Sequence, residues 1–398
     1  MTKLSSIADY VTDKISSNDI ALREYVTTDC ILQNKKGREI ATNLPPQSCC
    51  LTRYQRGDVL IANIRPYLKK VWFADIDGGA SSDVLVFRAK EGHSPSFLYA
   101  VLLQDSFFDY VMQGAKGSKM PRGDKEQILR YEMPTLSCSE ESIGTFFLNL
   151  DQKIRLDEQI NQNLETMAKQ LYDYWFVQFD FPNEEGKLYK SSGGEMLWND
   201  KLKRNIPVGW HCGNLFEIAV FTNGLACQKF RPKDDEVPLP VIKIREMHDG
   251  ISVDTEEVTS NIPESVKVYN GDVLFSWSAS LEVMLWAYGL GGLNQHIFKV
   301  TSANDFPKSF YYFQLLDYVD VFKKMAEARK TTMGHITQDH LQQSTIAIPD
   351  NKDIADKFEE LISPIFKQIV KLQEEISNLI KQRDELLPLL MNGQITIE

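Results

Sequence analysis

No stretch of the 398-residue sequence approaches the ~18 consecutive apolar residues that cross a bilayer. The opening, Met1-Thr2-Lys3-Leu4-Ser5-Ser6, lacks the apolar core of a secretory leader, so cytoplasmic residence is expected. Six cysteines are present, none in a C-x-x-C pair and none at zinc-site spacing, which points to reduced thiols. The six histidines are scattered, without a neighbouring carboxylate or thiol that would make a metal set. Catalytic signatures are missing too: no [N/D]-P-P-[Y/F], no Walker A sequence and no G-x-S-x-G elbow. Gly289-Leu290-Gly291-Gly292 reads as a turn, because it is not a G-x-G-x-x-G opening a helix. Asp180 with Glu185-x-Lys187 mimics a D…E-x-K nuclease set, but Pro182-Asn183 breaks the strand such a set needs.

Positive charge is also short. Lys and Arg number 44 against 55 Asp and Glu, a net charge of −11. Phosphate contacts need cations, so this balance alone argues against nucleic acid. The deficit is uneven, however. Residues 1–142 carry 18 basic and 18 acidic side chains, whereas residues 206–350 carry 12 and 18. A DNA reader with this balance would need locally basic loops or basic partners.

What the chain does have is two long helical patterns, over residues 146–175 and 358–390. In the second, Phe358, Ile362, Ile365, Ile369, Leu372, Ile376, Leu379, Leu386 and Leu390 recur at alternating steps, with Arg383 filling one gap. This period of 3.5 is a coiled-coil seam. The first reads Leu150, Ile154, Ile160, Leu164, Met167, Leu171, Tyr174, with Asp157 on the seam and one step of six. Neither stripe can be buried by its own helix, and each is the simplest partner for the other.

Around the helices the chain repeats. Residues 1–142 read as mixed α/β, with strands at Val59-Leu60-Ile61-Ala62, Val71-Trp72-Phe73-Ala74 and 83–87. A helix over 97–112 is stopped by Gly114, and Tyr131-Glu132-Met133-Pro134 closes the domain. Leu4-x-x-Ile7-Ala8 returns as Leu215-x-x-Ile218-Ala219. Gly57-Asp58-Val59-Leu60 returns as Gly271-Asp272-Val273-Leu274, an offset of 214. Phe97-Leu98-Tyr99 matches Phe310-Tyr311-Tyr312, and Ser118-Lys119-Met120 matches Thr331-Thr332-Met333, both at 213. Met133-Pro134 matches Ile348-Pro349 at 215. The layout is a tandem repeat of domain and helix. The expected fold class is α+β: two mixed α/β domains in pseudo-twofold tandem repeat, separated by two long antiparallel coiled-coil helices. Its parts are a first domain at 1–142, a central helix at 143–178, a Gly/Pro/Ser-rich linker or surface segment at 179–209, a second domain at 210–350 and a C-terminal helix at 351–398. A 30-residue helix is ~45 Å long, and twofold DNA readers set their heads ~34–36 Å apart.

These segments, in this order and doubled, resemble the specificity (S) subunit of type I restriction–modification systems. The likeness rests on Gly57-Asp58-Val59-Leu60 and its repeat, on Leu293-Asn294-Gln295-His296-Ile297-Phe298, and on Thr331-Thr332-Met333-Gly334-His335-Ile336 through Ile348-Pro349. It continues in Trp175-Phe176-Val177-Gln178-Phe179-Asp180-Phe181-Pro182, in Ile206-Pro207-Val208-Gly209-Trp210, and in Arg383-Asp384-Glu385-Leu386-Leu387-Pro388-Leu389-Leu390-Met391-Asn392-Gly393-Gln394. The resemblance implies a non-catalytic subunit. Its two target-recognition domains each read half of a bipartite double-stranded DNA site, and its helix pair sets the gap. It implies two DNA methyltransferase (M) subunits as partners and, where restriction occurs, two translocase/nuclease (R) subunits. No cofactor is expected in this chain; S-adenosylmethionine, ATP and Mg belong to the partners. A coiled-coil adaptor joining two protein partners without sequence-specific DNA binding is the alternative class.

Base readout needs side chains that reach groove edges, and positioning needs Lys or Arg at phosphates. The first-domain candidates are Arg65, Lys69 and Lys70 after the Gly57 strand, and Lys116, Ser118, Lys119 and Arg122 in a glycine-containing loop. The second domain offers Ser276 and Ser278 in the turn aligned with Arg65, and Arg329, Lys330, Thr331, Thr332 and His335 in the matching loop. Asn223, Gln228 and Lys229 lie on a further loop. The loops differ in chemistry, so two unlike half-sites are expected. Tyr172, Tyr174, Trp175 and Phe176, at the end of the first helix, are the candidate docking surface for the methyltransferase subunits.

Overall fold

The computed structural model describes residues 2–133, 139–233, 235–278, 280–328 and 336–397. The chain divides into two units. One contains residues 1–156 and 378–398; the other contains 157–377. Each unit therefore takes part of each long helix, α1 (Glu140–Tyr172) and α2 (Asp353–Met391).

The first unit is built on a four-stranded antiparallel sheet of β1 (Ala8–Tyr10), β2 (Val59–Ala62), β3 (Val71–Phe73) and β4 (Val84–Ala89), in the order β1-β4-β2-β3. The second unit repeats that order with β5 (Ala219–Asn223), β6 (Val273–Ser276), β7 (Glu282–Leu285) and β8 (Ile297–Ser302), as β5-β8-β6-β7. Each unit has a second, mixed sheet around a Gly-Gly strand. Gly78–Ala80 pairs parallel with Tyr25–Val26 and antiparallel with Cys50–Tyr54. Gly291–Leu293 pairs parallel with Leu239–Ile242 and antiparallel with Lys267–Val268. The sheets differ only in their fourth strand: Lys14–Ser16 joins Cys50–Tyr54, whereas Glu257–Val258 joins Leu239–Ile242.

The Gly-Asp pair explains its own recurrence. Gly57 (φ 92°) and Gly271 (φ 86°) take the left-handed conformation that a turn into a strand requires. Asp58 Oδ2 accepts the Gln55 amide at 2.8 Å, and Asp272 Oδ2 accepts the Tyr269 amide at 2.8 Å. Each carboxylate then meets a cation: Arg88 lies 2.8 Å from Asp58, and Lys299 lies 2.8 Å from Asp272. The turns are the same local solution to entering β2 and β6.

Ser94-Pro95 starts a helix, the serine hydroxyl accepting the Phe97 amide. The single helix expected over 97–112 is broken. It runs Pro95–Leu103, stops at Gln104 (ψ 141°) and restarts as Asp105–Gln113. All of Ser96 to Leu103 is buried, so this segment fills the core between the sheet and α1 rather than presenting one face. Gly144 of α1 lies directly on it; a Cβ there would sit 2.3 Å from the Phe97 nitrogen. Ile143, Phe147, Leu387, Leu390 and Met391 join this same core. The linker expected over 179–209 contains an antiparallel hairpin, Met196–Asn199 with Arg204–Pro207. The closing strands pair as Thr2–Lys3 with Glu132–Met133, and as Trp210–Gly213 with Ile346–Pro349.

On α2 the seam lies close to where its pattern places it: Phe358, Ile362, Ile369, Leu372, Ile376 and Leu390 are buried. On α1 the expected register is displaced in the second half. Ile160 (38% exposed), Met167 (52%) and Tyr174 (36%) face outward. The buried seam is formed by Phe147, Ile154, Asp157, Asn161, Ala168 and Trp175, with Leu150, Leu164 and Leu171 packed alongside. These alternate by three and four without a gap. Two polar residues and one alanine occupy the seam, so hydrophobicity marks the wrong stripe. Arg383 fills its seam position as a buried charge, 3.7 Å from Asp151, which also accepts the Tyr99 hydroxyl at 3.0 Å and pairs with Arg155.

Candidate nucleic-acid interface

In the first unit, the end of β2, the start of β4 and the 116–122 loop meet at one corner of the sheet. The Asn63 amide donates to Asp83 O at 2.9 Å, and the Arg65 amide donates to Pro121 O at 2.8 Å. Lys116 and Arg122 exchange two backbone hydrogen bonds, each 2.9 Å, which close the loop into a hairpin around Gly117 (φ 98°). Two loops separated by about fifty residues in sequence thus form one surface. Arg65, Lys116, Ser118, Lys119 and Arg122 are all exposed there. Arg65 has left-handed backbone (φ 54°), an uncommon state for a side chain this size, secured by its bond to Pro121.

The cations differ in their freedom. Lys116 lies 2.8 Å from Asp124, whose hydrogen bond raises the lysine pKa while the lysine lowers the aspartate's. Arg122 lies 3.2 Å from Asp83. Among the described residues, the side chains of Arg65 and Lys119 meet no carboxylate. Lys69 and Lys70 are turned to internal work. Lys69 and the buried Lys35 both lie 2.9 Å from Asp105, and Lys70 donates to Thr28 O at 2.7 Å. Burial works to raise Asp105, but the two lysines outweigh it and hold its carboxyl below the usual range.

The second unit places its own elements at the same corner. The Trp277 amide donates to His296 O at 3.3 Å, and the Ile336 amide donates to Trp277 O at 3.0 Å. The first is the counterpart of the Asn63 bond, and the second of the Gly123 amide donating to Asn63 O at 3.3 Å. Ser276 is fully buried; its hydroxyl donates to Ser280 O and accepts the Glu282 amide at 3.2 Å. Ser278 is buried as well. Both serines shape the turn from inside it. Arg329, Lys330, Thr331, Thr332 and His335 lie outside the described residues. Among the described residues, the exposed side chains at this corner are Asn223 and His296, with Trp277 and Gln295 half-buried beside them. Sequence reasoning did not single out His296 or Gln295 as contacts. The signal was present in the repeat, since His296 stands where Asp83 stands in the first unit.

Of the aromatics at the end of α1, Tyr172, Trp175 and Phe176 do not form the exposed face expected of them. They are buried, with Phe176 5.0 Å and Trp175 5.5 Å from Phe358, and Tyr172 stacked on Phe313 at 5.1 Å between ring centres. Helical spacing brings all three onto the core side, leaving Tyr174 on the surface. Asp180 is a structural cap: its two oxygens accept the Ser191 amide and hydroxyl, each at 2.7 Å.

Residues 207–382 match the type I restriction modification DNA specificity domain. The chain is 23% identical to the MjaIX specificity subunit of Methanocaldococcus jannaschii, covering 96% of this chain and 87% of that protein. It is 23% identical to the HindI specificity subunit of Haemophilus influenzae, covering 93% and 94%. Along nearly its whole length the chain is similar to type I specificity subunits. Its fold is that of the crystallised S subunit from M. genitalium, at a TM-score of 0.60 and 12% identity, covering 100% of this chain and 96% of that one. Among the described residues, no helix is long and apolar enough to cross a membrane.

Proposed function

We propose that this chain is the non-catalytic subunit that reads a bipartite, asymmetric double-stranded DNA site and positions methyltransferase subunits on it. Target-recognition domains at 1–142 and 210–350 supply the two reading heads. The observation that carries the reading is the recurring sheet corner, cationic in the first unit and amide- and histidine-bearing in the second. A surface built twice on one scaffold with different side chains suits two unlike half-sites. Arg65, Lys119 and Arg122 are the first unit's leading contacts. Lys116 and Ser118 sit on the same loop, while Lys69 is held by Asp105 and Lys70 by the Thr28 carbonyl. In the second unit, Arg329, Lys330, Thr331, Thr332 and His335 are assigned to the same reading head by the repeat.

The helix pair is the spacer. In the second unit, Asn161 contacts Gln373, while Trp175 and Phe176 contact Phe358; in the first, Asp151 contacts Arg383. One helix number rises as the other falls, which supports an antiparallel coiled coil. The partners are two methyltransferase subunits and, for restriction, two translocase/nuclease subunits. These carry the catalysis and its S-adenosylmethionine, ATP and Mg, in the cytoplasm. Tyr174 is the aromatic left to meet them. A coiled-coil adaptor without sequence-specific DNA binding is not favoured, because the family match lies in a DNA specificity domain.

Methylome sequencing of a host carrying this chain with its methyltransferase gives the site directly. Lys119→Ala with Arg122→Ala is expected to erase preference in one half-site only. An equal loss on every sequence refutes base reading by this loop. Inserting one heptad in both helices is expected to widen the gap with both half-sites unchanged.

A further inference from the structure

The second unit's corner holds one amide side chain whose orientation is set by its neighbour. Trp277 Nε1 lies 3.4 Å from Asn223 Oδ1. An indole N–H only donates, so the Asn223 oxygen faces the ring and its amino group is turned away from it. The oxygen keeps a second lone pair. Trp277 is itself anchored, its ring 5.9 Å from Phe298, which is buried in the unit's core. The Asn223 backbone is equally fixed. Gly224, next in the chain, runs so close to residue 294 that a Cβ would sit 2.2 Å from Asn294 O. The Gly224 amide donates to Ile297 O at 3.1 Å, and the Leu225 amide donates to Leu293 O at 2.8 Å. His296 and Gln295 flank the site, their Nε2 atoms 3.3 Å apart. Among the described residues, no carboxylate meets Asn223, Gln295 or His296.

An exposed amide with one donor and one acceptor, held by a core-anchored ring, is suited to a partner that offers one acceptor and one donor side by side. In the DNA major groove that partner is adenine, through N7 and the N6 amino group. We infer that Asn223 reads an A·T pair in the half-site of the second unit, with Trp277 as its positioning residue; this rests on the DNA-reading function proposed above. The same corner of the first unit offers Arg65 and Lys119, which suit guanine edges or phosphates, so the two heads differ in kind.

The test uses the complex with its methyltransferase subunits, selecting from a randomised duplex library at fixed salt. Asn223→Ala is expected to cut discrimination at one A·T pair by about tenfold or more, leaving every other position intact. Trp277→Phe keeps the ring and removes the N–H, and is expected to weaken preference at that same pair alone. The inference is overturned if both variants keep the parental motif, if affinity falls equally for all sequences, or if the altered position is G·C. A parental complex with no sequence preference would overturn the DNA-reading function itself, a different and distinguishable result.

Discussion

The buried charge at Arg383 gives a sharp energetic prediction because its partners are not equivalent. Asp151 (2% exposed) is the hub, meeting Tyr99, Arg155 and Arg383 together. Arg383 (3% exposed) has a second partner, Asp384 at 3.0 Å. Asp151→Ala takes the carboxylate from the half-buried Arg155 guanidinium and the buried Tyr99 phenol at once, and leaves the buried Arg383 with Asp384 alone. Removing one partner of a buried pair costs about 3–5 kcal/mol. Arg383→Met instead leaves Asp151 paired with Arg155 and Tyr99, and Met fills most of the vacated volume; its cost is expected to stay below about 1.5 kcal/mol. For a unit of this size each kcal/mol moves the melting point by about 2–4 °C, so Asp151→Ala is expected to lower it by about 10 °C. The readout is thermal unfolding, with amide exchange on peptides spanning Pro95–Leu103 to assign the loss to the first unit. Equal damage from both substitutions, or an Asp151→Ala melting point within about 2 °C of the parent, would refute the hub assignment.

Further expectations follow from the same packing. Ile160→Lys and Met167→Lys should each change stability by less than about 0.5 kcal/mol in urea unfolding, whereas Ile154→Lys and Ala168→Lys should unfold the helix contact. Gly144→Ala gains helix propensity but must push the Phe97 backbone away, and is expected to destabilise by about 1–3 kcal/mol in the same assay. His211 is flanked by Asp350 and Glu217 at 2.5 and 3.2 Å. Burial acts to lower its pKa, but the two carboxylates outweigh it and raise the value above 6.5. Its contribution is therefore fully present below pH 6.5 and fades as pH rises through the raised folded-state value. A pH series of second-unit stability should show this slope, and His211→Gln should remove it.

The repeat was legible because its turns demand particular residues. Gly-Asp before β2 and β6 occupies a position where few other residues fit, so it marks equivalent structure at a distance; the Gly-Gly strands did not, since Gly289-Leu290-Gly291-Gly292 reads as a turn whereas Gly291–Leu293 is a strand. The α1 seam was only half legible. Asp157 and Asn161 are polar yet buried, and hydropathy has no way to see a seam that carries its own polar groups. The break at Gln104 was hidden for the opposite reason: with every neighbour buried, no face alternates to show where the helix stops. At the candidate interface, charge pointed to Lys119 and Arg122, and the pairing of their loop with Arg65 became visible only once the sheet corner was formed. At the second unit's corner Asn223 and His296 are neither lysine nor arginine, so a search for cationic loops passes over them.

The sharing of both long helices has a consequence for synthesis. The core of the first unit includes Leu387, Leu390 and Met391, more than two hundred residues downstream of the rest of that core. The second unit, residues 157–377, is a single uninterrupted segment. On the ribosome the unit made first is therefore the one completed last, its apolar surface waiting until the second has emerged. A chain stopped before residue 378 would keep the second unit's residues whole and harm the first. In such a truncation, damage appears at the end of the sequence opposite to the cut.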